Sequence, residues 1–259
     1  MRYNRRMLGS LFHFLIFDPL YNALVFLVSV VPFADVGLAV IVLTIFVKLV
    51  LFPLSLKAVR TQIVVRAIEP QLNEIKEKYK NDKPEQARKT MELYRAEGIN
   101  PFSSILLIFI QLPIIFGLYW VVVQGGLPQL DESVLYSFTP IPEMFNMEFL
   151  WVSDIAGKSI ILALLAGITQ YFQIKLTLPP LKDRGKNPSL KDDLARSFHL
   201  QMRYVMPIIV VVVAYVISAA IAIYWTTSNL FAIGQEFYVR KRIRTRTDSA
   251  ATTPEKVAV

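Results

Sequence analysis

Residues 42–57 read VLTIFVKLVLFPLSLK, and the lysine in the middle decides how the rest of the chain is read. Extended to Asp35-Val36-Gly37 on one side and Phe52-Pro53-Leu54 on the other, the stretch makes an apolar span over about 36–56. About 20 apolar residues suffice to cross the ~30 Å of bilayer hydrocarbon. Lys48 falls roughly 16 Å into the span, counted from Gly37 at ~1.5 Å per residue. An ionisable group at that depth costs roughly 2.5–3.5 kcal/mol on insertion scales. Either the side chain snorkels to nearby headgroups, as lysine does near helix ends, or it points into a water-filled cavity open to the cytoplasm.

Composition places the whole chain in a membrane. Hydrophobic residues make up 54% of its 259 positions, and the mean hydropathy is +0.45, which leaves too little polar residue to cover a soluble surface. Further spans follow at about 102–123, 159–178, 204–217 and 221–239, which makes an all-α, polytopic protein with five spans. The last two are split near Ser218-Ala219-Ala220 on length alone, since one helix over 204–239 would run roughly 54 Å. Cysteine is absent, so disulfides, thiolate metal sites, a cysteine nucleophile and a lipidated N-terminal Cys are excluded.

The net charge of +8 matters through its placement. Segment 57–101 holds ten Lys/Arg, 179–203 holds six, and the tail from Arg240 holds six. Segment 124–158 holds only Lys158, against Asp131, Glu132, Glu143, Glu148 and Asp154. The positive-inside rule puts the two basic segments and the C-terminus in the cytoplasm and the acidic loop outside. Five spans alternate consistently with that assignment.

Residues 7–31 are apolar but interrupted by Asp18-Pro19 and Asn22. They read as an amphipathic helix in the outer interface, or as a sixth span entering from inside, which Arg2, Arg5 and Arg6 favour. No small-x-small cleavage site follows cleanly, so a cleaved signal peptide is the weaker reading. The domain plan is an N-terminal segment 1–35, a core 36–239 and a basic, disordered tail 240–259.

Segment 57–100 differs from its surroundings. Ile63, Val64, Ala67, Ile68, Leu72, Ile75 and Tyr79 recur at helical spacing, Asn81-Asp82-Lys83-Pro84 breaks the pattern, and Ala87, Met91, Leu93 and Tyr94 resume it. Gly98 stands where a C-terminal cap is expected. The segment reads as an antiparallel helical hairpin rather than a solvated connector, which could be far shorter.

Polar residues in the other spans could accompany Lys48 in a cavity: Gln111 ahead of Pro113, then Thr169, Gln170 and Gln173, then Tyr224, Trp225, Thr226, Thr227, Ser228, Asn229 and Gln235. The alternative is plain interhelical hydrogen bonding, and it is at least as strong for Gln111 and Asn229. The five spans are expected to offer Lys48 no Asp or Glu partner, which argues for water around it rather than a proton relay. Enzyme chemistry has little to stand on. His13 and His199 are the only histidines, and no HExxH, Gly-rich phosphate loop or intramembrane Ser/His pair is present. No metal or cofactor is expected; the residues read as a site for binding, not turnover.

Five stretches together resemble the YidC-type membrane protein insertases, a family with mitochondrial and chloroplast relatives: VLTIFVKLVLFPLSLK, IEPQLNEIKEKYK, MELYRAEGINPFSSILLIFIQLPIIFGLYW, GITQYFQIK and IYWTTSNLFAIGQEF. The resemblance covers about residues 15–240. It implies a five-helix core with a hydrophilic groove open to the cytoplasm and inner leaflet, an interfacial helix before the first span, and a cytoplasmic hairpin. It implies membrane lipids and nascent membrane proteins as partners, with the ribosome and the Sec translocon as further ones, and no small-molecule substrate. The family's groove arginine falls on Lys48, its third-span glutamine on Gln173 and its fifth-span aromatic on Trp225, beside Tyr224. Two departures stand out: lysine replaces arginine and lacks its planar fork, and Ser218-Ala219-Ala220 replaces the usual Pro-Gly turn. The rival reading is a small-solute transporter or channel with Lys48 as an anion site, although no inverted repeat is seen.

Overall fold

The computed structural model describes residues 12–100, 102–121, 130–150, 153–178 and 190–251. Its elements in chain order are helices α1 (His13–Val30), α2 (Val36–Val50), α3 (Phe52–Ala67), α4 (Glu69–Lys78), α5 (Lys83–Ala96) and α6 (Phe102–Tyr119). Strands β1 (Glu148–Phe149) and β2 (Ser153–Asp154) follow, then α7 (Ile160–Thr177), α8 (Leu190–Leu200), α9 (Met206–Ile217) and α10 (Ala219–Ala251). Among the described residues, three stretches are helical, apolar and long enough to cross a bilayer: His13–Val30, Ile160–Thr177 and Arg196–Ile217. Counting α2 and α3 together gives a fourth. The end of the expected span 102–123 and the loop 179–189 lie outside the described residues, as does the chain beyond Ala251.

By packing, the chain divides into two compact units, residues 1–50 with 109–232 and residues 51–108 with 233–259. The first has a core of α1, α2, α7 and α9 side chains with the start of α10, in which Tyr21, Leu24, Val36, Val40, Ala163 and Ala220 are fully buried. Asn22, whose polarity interrupts the N-terminal apolar run, satisfies its whole amide here. Its Nδ2 donates to the Asp18 and Val134 carbonyls at 2.8 and 2.9 Å, and its Oδ1 accepts from Tyr136 N and Thr139 Oγ1 at 2.6 and 2.8 Å. The acidic loop is thereby tied to α1, and Asp131 N donates to the Tyr21 hydroxyl at 2.9 Å. Asp35 caps α2 by accepting from Leu38 N at 2.9 Å and holds Leu150 N at 3.4 Å. The two short strands pair antiparallel, Glu148 opposite Asp154 and Phe149 opposite Ser153.

The helical run through 204–239 breaks at Ser218, between α9 and α10. Ser218 is extended (φ −171°, ψ 160°) and fully buried. Ala219 N and Ala220 N donate to the Gly157 and Ile155 carbonyls at 2.8 and 2.9 Å. Those neighbours satisfy the donors that open α10, so the turn holds without glycine or proline. Two boundaries differ from expectation. The apolar helix expected from 204 begins near Arg196, because α8 runs into α9 through the π-helical turn Gln201–Val205. The tail is helical as far as Ala251 rather than disordered from Arg240; a formed helix adds arginines and lysines at little cost once nucleated.

The second unit carries the hairpin. Its first arm is two helices, not one: Pro70 sits in the first turn of α4, and Ile68 leaves helical geometry just before it. Asp82 Oδ1 caps α5 by accepting from Glu85 N at 3.0 Å. Gly98 takes the left-handed conformation at φ 63° that ends α5. The chain then turns Ile99 onto Ile68 and Leu72, with Leu93 and Tyr94 against them. Ala67 and Ala87, expected on the seam, are exposed.

Candidate functional site

Lys48 lies in the last turn of α2, where the helix ends with unpaired carbonyls and a cation is favoured. The side chain is half-buried, and its Nζ donates to Gln111 Oε1 at 3.0 Å. Gln111 stands on α6 two residues before Pro113, which cannot continue the helical hydrogen-bond ladder. The same amide uses its Nε2 to donate to the Tyr224 hydroxyl. Tyr224 is 2% exposed. Three of the sequence-derived residues thus form one chain from three helices: Lys48, Gln111 and Tyr224. No ion pair to Lys48 occurs among the described residues.

The remaining candidates form separate sets. Asn229 Nδ2 donates across to α7, to Thr169 Oγ1 at 3.3 Å and the Ala166 carbonyl at 3.4 Å. Thr169 Oγ1 in turn donates to the Leu165 and Ala166 carbonyls at 2.9 and 3.0 Å. This is the interhelical bonding that served as the alternative reading of Asn229. Gln170 Nε2 donates to Gln173 Oε1 at 3.4 Å, and Gln173 Nε2 donates to Thr177 Oγ1 at 3.1 Å, all along α7. Trp225 is partly buried against the core of the first unit. The Thr226 hydroxyl is buried without a hydrogen-bond partner. It borders a cavity of about 360 Å³ whose walls include Ile41, Ile45, Leu162, Leu165 and Leu230.

Sequence reasoning missed one charged group. Glu236 lies within the span expected over 221–239, a carboxylate that the reading of Lys48 passed over, and its ion-pair partner is Arg240. Glu236 is 4% exposed and accepts from Arg240 Nε at 2.8 Å, with Arg66 in electrostatic range of both. Beside it, Gln235 Nε2 donates to Ser55 Oγ at 2.7 Å between buried side chains. The signal was legible as the i, i+4 spacing of Glu236 and Arg240. Among the described residues no three His, Asp or Glu side chains gather as metal ligands would.

Residues 26–246 match the 60Kd inner membrane protein family. A protein from Clostridium tetani named Membrane protein insertase YidC is 35% identical over 210 residues, which cover 81% of this chain and 84% of the relative. Proteins of the same name from Oceanobacillus iheyensis and Fusobacterium nucleatum are each 32% identical, covering 79% and 80% of this chain and 74% and 86% of theirs. With a family match across most of its length and relatives this similar over most of theirs, the chain belongs to the 60Kd inner membrane protein family.

Proposed function

We propose that this protein is a membrane protein insertase of the bacterial inner membrane, receiving nascent membrane proteins at Lys48 and releasing their apolar segments into lipid. The observation that carries the reading is the Lys48 ammonium, half-buried and bonded to a neutral amide rather than a carboxylate. A charge so placed is expensive in hydrocarbon and is retained where water or a passing ligand meets it. The groove it faces opens to the cytoplasm within a five-span core, 36–239, with the hairpin 57–100, loop 179–203 and basic tail on the same side and loop 124–158 outside. The segment before the first span lies in the interface.

A wet groove shortens the hydrocarbon path that a substrate's polar tail must cross, which lowers its desolvation cost. The ammonium attracts acidic residues of that tail while apolar segments partition into the bilayer. Lys48, Gln111 and Tyr224 form the charged part of the groove. Gln170, Gln173, Trp225, Thr226 and Ser228 are assigned to its walls, and the Asn229–Thr169 pair holds two of its helices together. The basic end of α10 contacts the ribosome, and some substrates arrive beside the Sec translocon.

Reconstituted insertion tests the reading. Lys48→Arg is expected to retain insertion, and Lys48→Ala or Lys48→Glu to impair it, most for substrates with acidic tails. Full insertion by Lys48→Glu would remove the charge from the mechanism. Salt-sensitive ribosome binding, lost on removing residues 240–259, checks the tail assignment.

A further inference from the structure

We propose that the charge state of position 111 determines specificity: Gln111, being neutral, hydrogen-bonds Lys48 without cancelling its charge and so leaves that charge free to select acidic substrate segments. The inference rests on the insertase reading above and deepens it. An amide can offer either an acceptor or a donor to a neighbour, and the ammonium settles which. Because Lys48 can only donate, Gln111 must present Oε1 to it, at 3.0 Å. Its Nε2 is then turned to the Tyr224 hydroxyl, which is anchored by burial at 2% exposure. The amide is held from both sides while cancelling none of the charge.

A carboxylate of the same length at position 111 would stand where Oε1 stands now and form an ion pair with Lys48. A carboxylate adds to the ammonium's hydrogen bond a charge–charge attraction that a neutral amide lacks, so a substrate carboxylate can displace the amide but not a resident glutamate. The single exchange of Gln for Glu therefore separates a groove that reads acidity from one that does not. Glu236, the buried carboxylate of the last helix, is committed to Arg240.

The test uses full-length protein in proteoliposomes and two substrates that differ only in an acidic or a neutral polar tail. The readout is the ratio of their insertion rates, which a general folding defect lowers little because it affects both. Wild type and Lys48→Arg are expected to favour the acidic tail, and Gln111→Glu to lose that preference roughly tenfold, or about 1.4 kcal/mol. Gln111→Leu adds no charge and is expected to keep the preference. A wild-type ratio retained in Gln111→Glu overturns the proposal, as does loss of the ratio in Gln111→Leu, which would make the amide itself the contact. If Gln111→Glu does not accumulate, the exchange of Lys48→Gln with Gln111→Lys keeps one charge and one amide. It is expected to restore the preference absent from Lys48→Gln alone, and no restoration overturns the proposal. A wild type that inserts both tails equally contradicts the charge-reading groove itself, a different failure.

Discussion

Two polar nodes join helices of the first unit, and they use their hydrogen bonds differently. At Asn229 and Thr169, amide and hydroxyl meet each other and the backbone of α7, so that every group at the contact is neutral. At Lys48, Gln111 and Tyr224, the chain of bonds ends on an ammonium that no carboxylate answers among the described residues. The first arrangement is complete in itself and holds helices together. The second leaves a charge unanswered, and on that charge the proposed substrate contact rests. Residue type alone does not separate the two; the partner does.

Changing the charge should break the comparison most strongly. Lys48→Glu is expected to slow insertion of an acidic-tailed substrate at least roughly tenfold, equivalent to about 1.4 kcal/mol, with little change in thermal unfolding. A structural change should do the opposite. A Cβ at Gly167 would lie 2.2 Å from Val211 Cγ2 and 3.0 Å from the Pro207 carbonyl. Gly167→Leu is therefore expected to lose roughly 1–3 kcal/mol through the α7–α9 contact, seen as an earlier unfolding transition in detergent. Asn229→Leu removes one interhelical node and should cost about 0.6–1.7 kcal/mol, without altering the preference for acidic tails.

The smallest effect lies in the hairpin. Hydrogen bonding to Arg88 holds the Glu85 carboxyl below the usual glutamate range. Its contribution is therefore present above the unfolded-state pKa and lost as pH falls through the lower folded value. The pair lies at the surface, with Arg88 exposed and Glu85 half-buried, so acid is expected to loosen α5 only slightly, read as faster amide exchange at Glu85 and Gln86, where Asp82 caps the helix.

The sequence carried those parts of the fold that local chemistry sets. Asp82, Pro84 and Gly98 mark hairpin boundaries because capping and a left-handed backbone depend on the residue itself. The break at Ser218 was expected from the length of the apolar run. Pro70 gave an equally local signal, and reading the first arm through it made one helix of two. Which polar side chain meets which was not legible, because it depends on how each helix is rotated about its axis. Gln111 joins Lys48, Asn229 joins Thr169, and Gln173 turns along its own helix; spacing within one helix fixes none of these.

The central claim is that an inserting chain meets the charge at position 48. A photo-crosslinker placed at 111, beside the intact Lys48, and in a separate protein at 229, tests it most directly during insertion of a radiolabelled substrate. Strong crosslinks from 111 to the substrate's polar tail and few from 229 are expected. Equal crosslinking from both positions, or none from 111, would contradict the claim.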